Sequence, residues 1–146
     1  MSARSGQEAG ATCGLNAYEA LTHGIRVSVT PEFVGADPDA APARFVWAYH
    51  VTIENLSDIT VQLTARAWHI VDGLGRTQSV NGPGVVGEQP ILKQGDSFTY
   101  SSSCPLPTPS GLMSGHYLMR TESGTQIQVQ IPPFSLDSPY DTPIIN

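Results

Sequence analysis

The sequence predicts an all-β fold, an antiparallel sandwich of about seven or eight short strands. Apolar and polar residues alternate along several runs, which is the period of a strand with one buried face. Clusters of Gly, Asn and Asp separate these runs and are typical of hairpin turns. The chain has 12 prolines and no extended apolar pattern of helical period, so a sandwich is favoured over an α/β fold.

The clearest alternation lies in Arg44–Asn55, where the odd positions are aromatic or β-branched. Ile25–Thr30 and Gln126–Ile131 show the same period with polar residues between the apolar ones. We expect the apolar members to face one another across two sheets. They are Trp47, Tyr49, Val51, Ile53, Ile127, Val129 and Ile131.

The run Ile59–Asp72 changes phase, because its aliphatic residues occupy one parity and Trp68 and Ile70 occupy the other. A β-bulge, or a strand covered on both faces, would explain the change. Trp68 then either plugs the second face of the sheet or stands in a surface patch used for docking. Shorter strands are predicted at Thr77–Val80, Ser97–Ser101 and His116–Arg120.

The chain of 146 residues fits one domain. We divide it into a flexible leader over residues 1–22, the sandwich over residues 23–136 and a loosely held tail over residues 137–146.

Composition limits the classes of partner. The formal net charge is −6 and the seven Lys and Arg residues are scattered, which argues against nucleic acid. No segment has the apolar length of a membrane span or a signal peptide. Cys13 and Cys104 form no metal-binding or redox pair. These features predict a cytoplasmic protein with reduced thiols and no membrane partner.

The segment Gly82–Gln89 carries a G-x-G-x-x-G pattern, which binds pyrophosphate where it opens a helix. Pro90 and Gly95 leave no room for a helix here. Two interpretations stay open. The loop amides bind an anion or a peptide with help from Arg76 or Lys93, or the loop is a tight connection whose Val85 and Val86 plug the core.

Catalytic and metal sites have little support in the sequence. His23, His50, His69 and His116 show no paired ligand spacing. The serines lack a nucleophile elbow and are typical of turns. We therefore predict no enzyme activity, no catalytic residue, no bound metal and no cofactor.

Several blocks resemble the ApaG family in order and spacing, over about Ile25 to Leu136. They are Ile53–Ser57, Val61–Leu63, Arg66 with Trp68, Gly84–Pro90, Thr108–Tyr117 and Ile131–Phe134. The resemblance implies a fibronectin-type-III-like, immunoglobulin-like sandwich. The family usually has a histidine between the Arg and the Trp of the long strand, and Ala67 stands there in this chain.

What the resemblance implies about function is partner binding. The genes of bacterial members lie near genes for diadenosine tetraphosphate hydrolysis, and these proteins are traditionally associated with cobalt and magnesium efflux. Related eukaryotic domains are joined to an F-box adaptor and to a polymerase-interacting protein. We predict a non-catalytic module that binds a partner protein. The alternative is a sensor that binds a nucleotide polyphosphate or a divalent cation and acts indirectly in cobalt and magnesium homeostasis. The candidate binding residues are Gly82, Gly84, Val85, Val86, Gly87, Glu88, Gln89, Arg76, Arg66 and Trp68.

Overall fold

The computed structural model describes residues 17–140, which form nine strands and no helix. The described residues accordingly include no helix of the length and apolar character that crosses a membrane. The strands are β1 (Tyr18–Thr22), β2 (Ile25–Asp37), β3 (Arg44–Asn55), β4 (Val61–Asp72), β5 (Thr77–Pro83), β6 (Ile91–Leu92), β7 (Ser97–Leu106), β8 (Gly111–Thr121) and β9 (Gln126–Leu136).

The strands form two antiparallel sheets that pack face to face. One sheet has the order β1-β2-β3-β7, and the other has the order β5-β4-β8-β9 with β6 also pairing with β4. The predicted all-β sandwich is therefore confirmed, with nine strands in place of seven or eight.

The core follows the predicted alternation. Every second residue of β3 from Phe45 to Asn55 is buried, and Val129 and Ile131 of β9 have no exposed surface. Trp47, Tyr49, Val51 and Ile53 are buried as expected, whereas Ile127 is only partly buried at the edge of the core.

A β-bulge in β4 shifts the register on β8 between Leu63 and Ala65, which is one of the two explanations of the phase change in this run. Because of this extra residue, Trp68 and Ile70 point into the same core as Leu63. Trp68 is 4% exposed and its ring lies 5.2 Å from that of Tyr49. Trp68 therefore lies in the core and not in a surface patch.

The sandwich begins earlier than the leader boundary at residue 22 allows. Tyr18–Thr22 forms β1, which pairs with β2 through a two-residue turn. His23 and Gly24 in that turn have φ angles of 53° and 79°, the conformation of a hairpin turn that follows strand twist. Cys13 and the rest of residues 1–16 lie outside the described residues.

The start of the predicted tail also contacts the sandwich. The Trp47 indole Nε1 donates a hydrogen bond to the Asp137 carbonyl oxygen at 2.7 Å, and the Tyr140 ring lies 5.7 Å from that of Phe45. Residues 137–140 are therefore packed against the domain, while residues 141–146 lie outside the described residues.

The two lateral sides of the sandwich differ. On one side β1 and β9 meet, and the Tyr18 hydroxyl lies 3.0 Å from the Ser135 hydroxyl. On the other side the edge strands are β5 and β7, and each pairs with a single neighbour. This second side is open and carries the candidate site.

Candidate partner-binding site

The Gly82–Gln89 loop forms a tight turn after β5, with no helix following it. Val85 and Glu88 pair across the turn, and the two residues between them, Val86 and Gly87, have φ angles of 44° and 81°. Val85 is fully buried and plugs the core, whereas Val86 is 55% exposed. The loop is thus an ordered connection, as one of the two interpretations expects.

Three backbone amides of the loop, those of Gly84, Val85 and Glu88, are already used within the chain. Gly84 N donates to the Thr64 carbonyl at 2.8 Å, and Val85 and Glu88 exchange both backbone hydrogen bonds at 2.8 Å. The Gln89 side chain also donates to Thr64 O at 2.9 Å. An anion cradle needs several amides that point outward, so this geometry favours the structural interpretation of the loop.

Arg66 is the candidate residue that the loop holds in place. Its Nη1 donates to the carbonyl oxygens of Pro83 at 3.0 Å and Gly84 at 2.9 Å. The guanidinium lies across Gly82, where an added Cβ would stand 3.0 Å from Nη1. The pattern's glycines therefore serve the placement of an arginine rather than the approach of a phosphate.

Arg66 lies on the inner face of β4. It is opposite the fully buried Tyr117 on β8 and has the same parity as Trp68. Burial raises the pKa values of Tyr49, Tyr100 and Tyr117, and the positive charge of Arg66 partly opposes that rise in all three. The charge of Arg66 therefore acts into the space between the sheets.

A cavity of about 240 Å³ opens beside Arg66 between β5 and β7. We call it the inter-sheet cleft. It is lined by Tyr49, Arg66, Trp68, Ile70, Gln78, Val80, Ser102, Ser103, Cys104, Pro105 and Met113.

The cleft exists because small side chains occupy its β7 wall. Ser102 pairs with Tyr49, and Cys104 pairs with Trp47, so each small residue stands beside a large aromatic one. Burial raises the pKa of the Tyr49 hydroxyl, and the Ser102 side chain partly opposes that rise. Burial raises the pKa of the Cys104 thiol to about 11, which keeps it protonated and inert at neutral pH.

No carboxylate of residues 17–140 pairs with Arg66. The close pairs of basic and acidic side chains in this part of the chain join Arg26 to Glu54, Asp72 to Arg76 and His50 to Glu32. The hydrogen bonds of Arg66 to described residues come from Nη1 alone, so Nε and Nη2 are available to a ligand. The cleft thus combines an apolar floor with one unneutralised positive charge.

Arg76 lies too far away to assist the Gly82–Gln89 loop. It occupies the turn between β4 and β5, where its Nε donates to Asp72 Oδ2 at 2.8 Å. The first five residues of β5, 77–81, separate it from the loop, a distance of about 20 Å along an extended strand. Lys93, the other basic residue considered, is exposed just after β6.

The described histidines lie on separate surfaces. No group of three or more His, Cys, Asp or Glu side chains within residues 17–140 is arranged to hold a metal ion. His69 is exposed on the outer face of β4, and His23 occupies the first hairpin turn.

His50 belongs to a chain of hydrogen bonds that the sequence did not indicate. Its Nδ1 lies 2.7 Å from Ser101 Oγ and its Nε2 lies 2.9 Å from Glu32 Oε1. A Ser–His–acid order is that of a hydrolase triad, but this one lies exposed on the outer face of the sheet. The three residues come from three strands, so only the sheet register could have revealed them.

The edge strand β7 has free backbone groups. Asn55 N donates to Asp96 O just before β7, so Asp96 points its backbone groups towards β3. Along two antiparallel strands, residues whose backbone groups bond to the neighbour alternate with residues whose groups point away from it. The N–H groups of Ser97, Thr99, Ser101 and Ser103 therefore point away from β3. Pro105, which has no N–H, shares that parity. Apart from the pairing with β3, β7 forms no backbone hydrogen bond to residues 17–140.

Comparison with known proteins identifies the family. The ApaG domain pattern matches residues 36–121. Protein ApaG of Beijerinckia indica is 51% identical over 129 residues, which are 88% of this chain and 99% of that protein. Protein ApaG of Methylocella silvestris is 54% identical over the same coverage.

Solved structures agree with the sequence comparison. A structural-genomics target solved by X-ray crystallography is 35% identical, with a TM-score of 0.78 over 87% of this chain and 96% of that one. A Bordetella pertussis protein is 44% identical, with a TM-score of 0.75 over 80% of this chain and 95% of that one. The chain belongs to the ApaG domain family.

Proposed function

We propose that the chain is a non-catalytic binding module that takes an extended segment of a partner protein as an additional strand on β7. The observation that carries the proposal is the unprotected edge of β7 beside the open inter-sheet cleft. Strand addition uses backbone hydrogen bonds for affinity and pockets for alternate side chains for specificity.

β7 lacks most devices that block such pairing. Its ten residues, Ser97–Leu106, contain no charged side chain, whereas protected edges usually carry lysine or other charges. Pro105 interrupts the edge only near its end. The other open edge, β5, is shorter at seven residues and ends in Gly82 and Pro83, so β7 is the better template.

The small-ligand alternative has weaker support. Three amides of the Gly82–Gln89 loop are paired within the loop or with β4, and Arg66 donates to loop carbonyls instead of facing a shared anion pocket. A nucleotide polyphosphate cradled by the loop amides would have to displace the bonds of Gly84, Val85 and Glu88. The geometry therefore favours an extended peptide over a phosphate ligand.

A matched pair of variants tests the proposal. Ser103→Pro removes one outward N–H of β7 without removing a bond to β3, whereas Ser103→Ala keeps that N–H. Peptides are first selected from a random displayed library on the native protein, and their Kd is then measured on both variants. We expect at least tenfold weaker binding to Ser103→Pro and less than twofold change with Ser103→Ala. Equal binding to both variants, or no selectable peptide, would contradict strand addition on β7.

A further inference from the structure

We infer that Arg66 receives a carboxylate from the partner segment, so that the module selects an extended peptide with a glutamate or aspartate facing the inter-sheet cleft. This inference rests on the proposed function and names the chemistry that the partner must supply. It is carried by three features of the cleft: the unneutralised charge, the available donor atoms and the register of the edge.

The charge of Arg66 is fixed where a ligand can meet it. Two hydrogen bonds from Nη1, to the carbonyls of Pro83 and Gly84, hold one end of the guanidinium. Nε and Nη2 keep three N–H donors, which suit a planar carboxylate. Because the position is already fixed, little side-chain entropy is lost when the carboxylate binds.

The surroundings of Arg66 make a carboxylate preferable to a neutral group. Trp68 is buried beside it and Ile70 is the next residue of the same parity on β4, so part of the wall around the guanidinium is apolar. A charged hydrogen bond in such a setting is stronger than one in solution. An apolar segment that covered the cleft would bury the Arg66 charge without a partner, which is costly.

The register of the edge fixes which side chain enters. The outward N–H groups belong to residues such as Ser101 and Ser103, so the segment residues bonded to them point to the outer face. The residue that pairs with Ser102 points inward, on the opposite side of Ser102 from Tyr49 and towards Arg66. The expected peptide therefore has an acidic residue at that position and apolar residues two places before and after it.

The small size of Ser102 is part of the same site. On β7 the neighbouring core-facing residues are Tyr100 and Cys104, both buried, whereas Ser102 is only partly buried. A larger residue at this position would fill the entrance. Ser102→Phe is therefore expected to close the cleft while leaving the outward N–H groups of β7 in place.

The test uses the peptides selected on the native protein. The acidic residue of one peptide is changed to its amide, Glu→Gln or Asp→Asn, and the Kd of both peptides is measured on the native protein and on Arg66→Gln. We expect the amide to weaken binding by about tenfold or more on the native protein and by less than twofold on Arg66→Gln. Gly82→Ala, which keeps the charge but pushes the guanidinium aside, is expected to weaken the acidic peptide selectively.

The outcomes separate the two claims. If peptides bind and depend on the Ser103 N–H, but the amide peptide binds the native protein as well as the acidic one, the carboxylate site is wrong and strand addition stands. If no peptide depends on Ser103, the proposed function itself fails. Because the peptide substitution needs no protein variant, a folding defect in Arg66→Gln would not obscure the result.

Discussion

Arg66 and Gly84 are joined by a hydrogen bond of 2.9 Å from the guanidinium Nη1 to the glycine carbonyl oxygen. This bond links a residue of the long strand β4 to the loop that follows β5. It gives the glycine-rich segment a structural role, because the loop orients the only basic side chain that lines the inter-sheet cleft. Disturbing the loop should therefore affect both stability and recognition, to different extents at different glycines.

Gly82 and Gly84 form the first matched pair of variants. A Cβ at Gly84 would lie 2.2 Å from the Glu88 carbonyl oxygen, and the residue has a φ of 59°. Gly84→Ala should therefore destabilise the domain by about 1–3 kcal/mol in urea unfolding. The three atoms nearest to a Cβ at Gly82 belong to the end of the long Arg66 side chain, which can shift without moving the backbone, so Gly82→Ala should cost less than about 0.5 kcal/mol. Equal costs would contradict this account of the loop.

Val86 stores backbone strain that a substitution can release. It is β-branched and 55% exposed, yet its φ is 44°, a conformation that costs L-residues about 1–2 kcal/mol. Val86→Asn should raise the free energy of unfolding by about 1 kcal/mol, because Asn tolerates this conformation. Val34→Asn, at an exposed valine of β2, is the control and should not stabilise. A loss of stability in Val86→Asn would show that the contacts of the Val86 side chain stabilise the domain by more than its backbone strain costs.

Tyr100 and Tyr117 share a buried hydrogen bond of 2.6 Å between their hydroxyl oxygens. Burial raises the pKa of both phenols, so the pair is neutral at every ordinary pH. Each single Tyr→Phe change leaves one hydroxyl without its partner and should cost about 1–3 kcal/mol. The double variant should cost clearly less than the sum of the two, and an additive result in thermal or urea unfolding would mean that the hydroxyls are not coupled.

Asp72 gives the domain a pH dependence in the acid range. Burial by itself would raise its pKa, but the N–H groups of Arg76 and Leu74 and the Arg76 guanidinium outweigh it, and the pKa is lowered. A lowered carboxyl pKa adds stability above the pKa of the unfolded chain, near 4, which is lost as the pH falls through the folded value. Asp72→Asn should therefore lose stability relative to the native protein at pH 7, and the difference should shrink below pH 4. A difference that stays constant from pH 7 to pH 3 would contradict the lowered pKa.

Much of the sandwich was predictable because one face of each long strand is buried. The alternation in Arg44–Asn55 matches β3 from end to end, and the parity change in β4 indicated the bulge before Trp68. β1 was missed because Leu21 is exposed, so the strand shows little apolar alternation, although His23-Gly24 is a hairpin signal that could have found it.

The candidate site was only partly predictable, since it depends on contacts between distant strands. Arg66 and the glycines could be named as candidates, but their contact requires the pairing of β4 with β5. Arg76 was nearer to the loop in sequence, and the extended strand between them carries it away. The parity of Phe98, Tyr100 and Cys104 indicates that Ser102 faces inward, but its role also depends on β7 being an open edge strand beside Arg66, which no local pattern indicates.

Backbone amide hydrogen exchange tests strand addition on β7 most directly. The exchange rate of each amide is measured by NMR with and without a peptide selected on the native protein. The account predicts that Thr99, Ser101 and Ser103 become strongly protected on binding, while the amides of Val86 and Gly87 keep their rates. Protection of Val86 and Gly87 with no change at Thr99, Ser101 and Ser103 would contradict it, because the ligand would then lie on the glycine loop instead of the edge of β7.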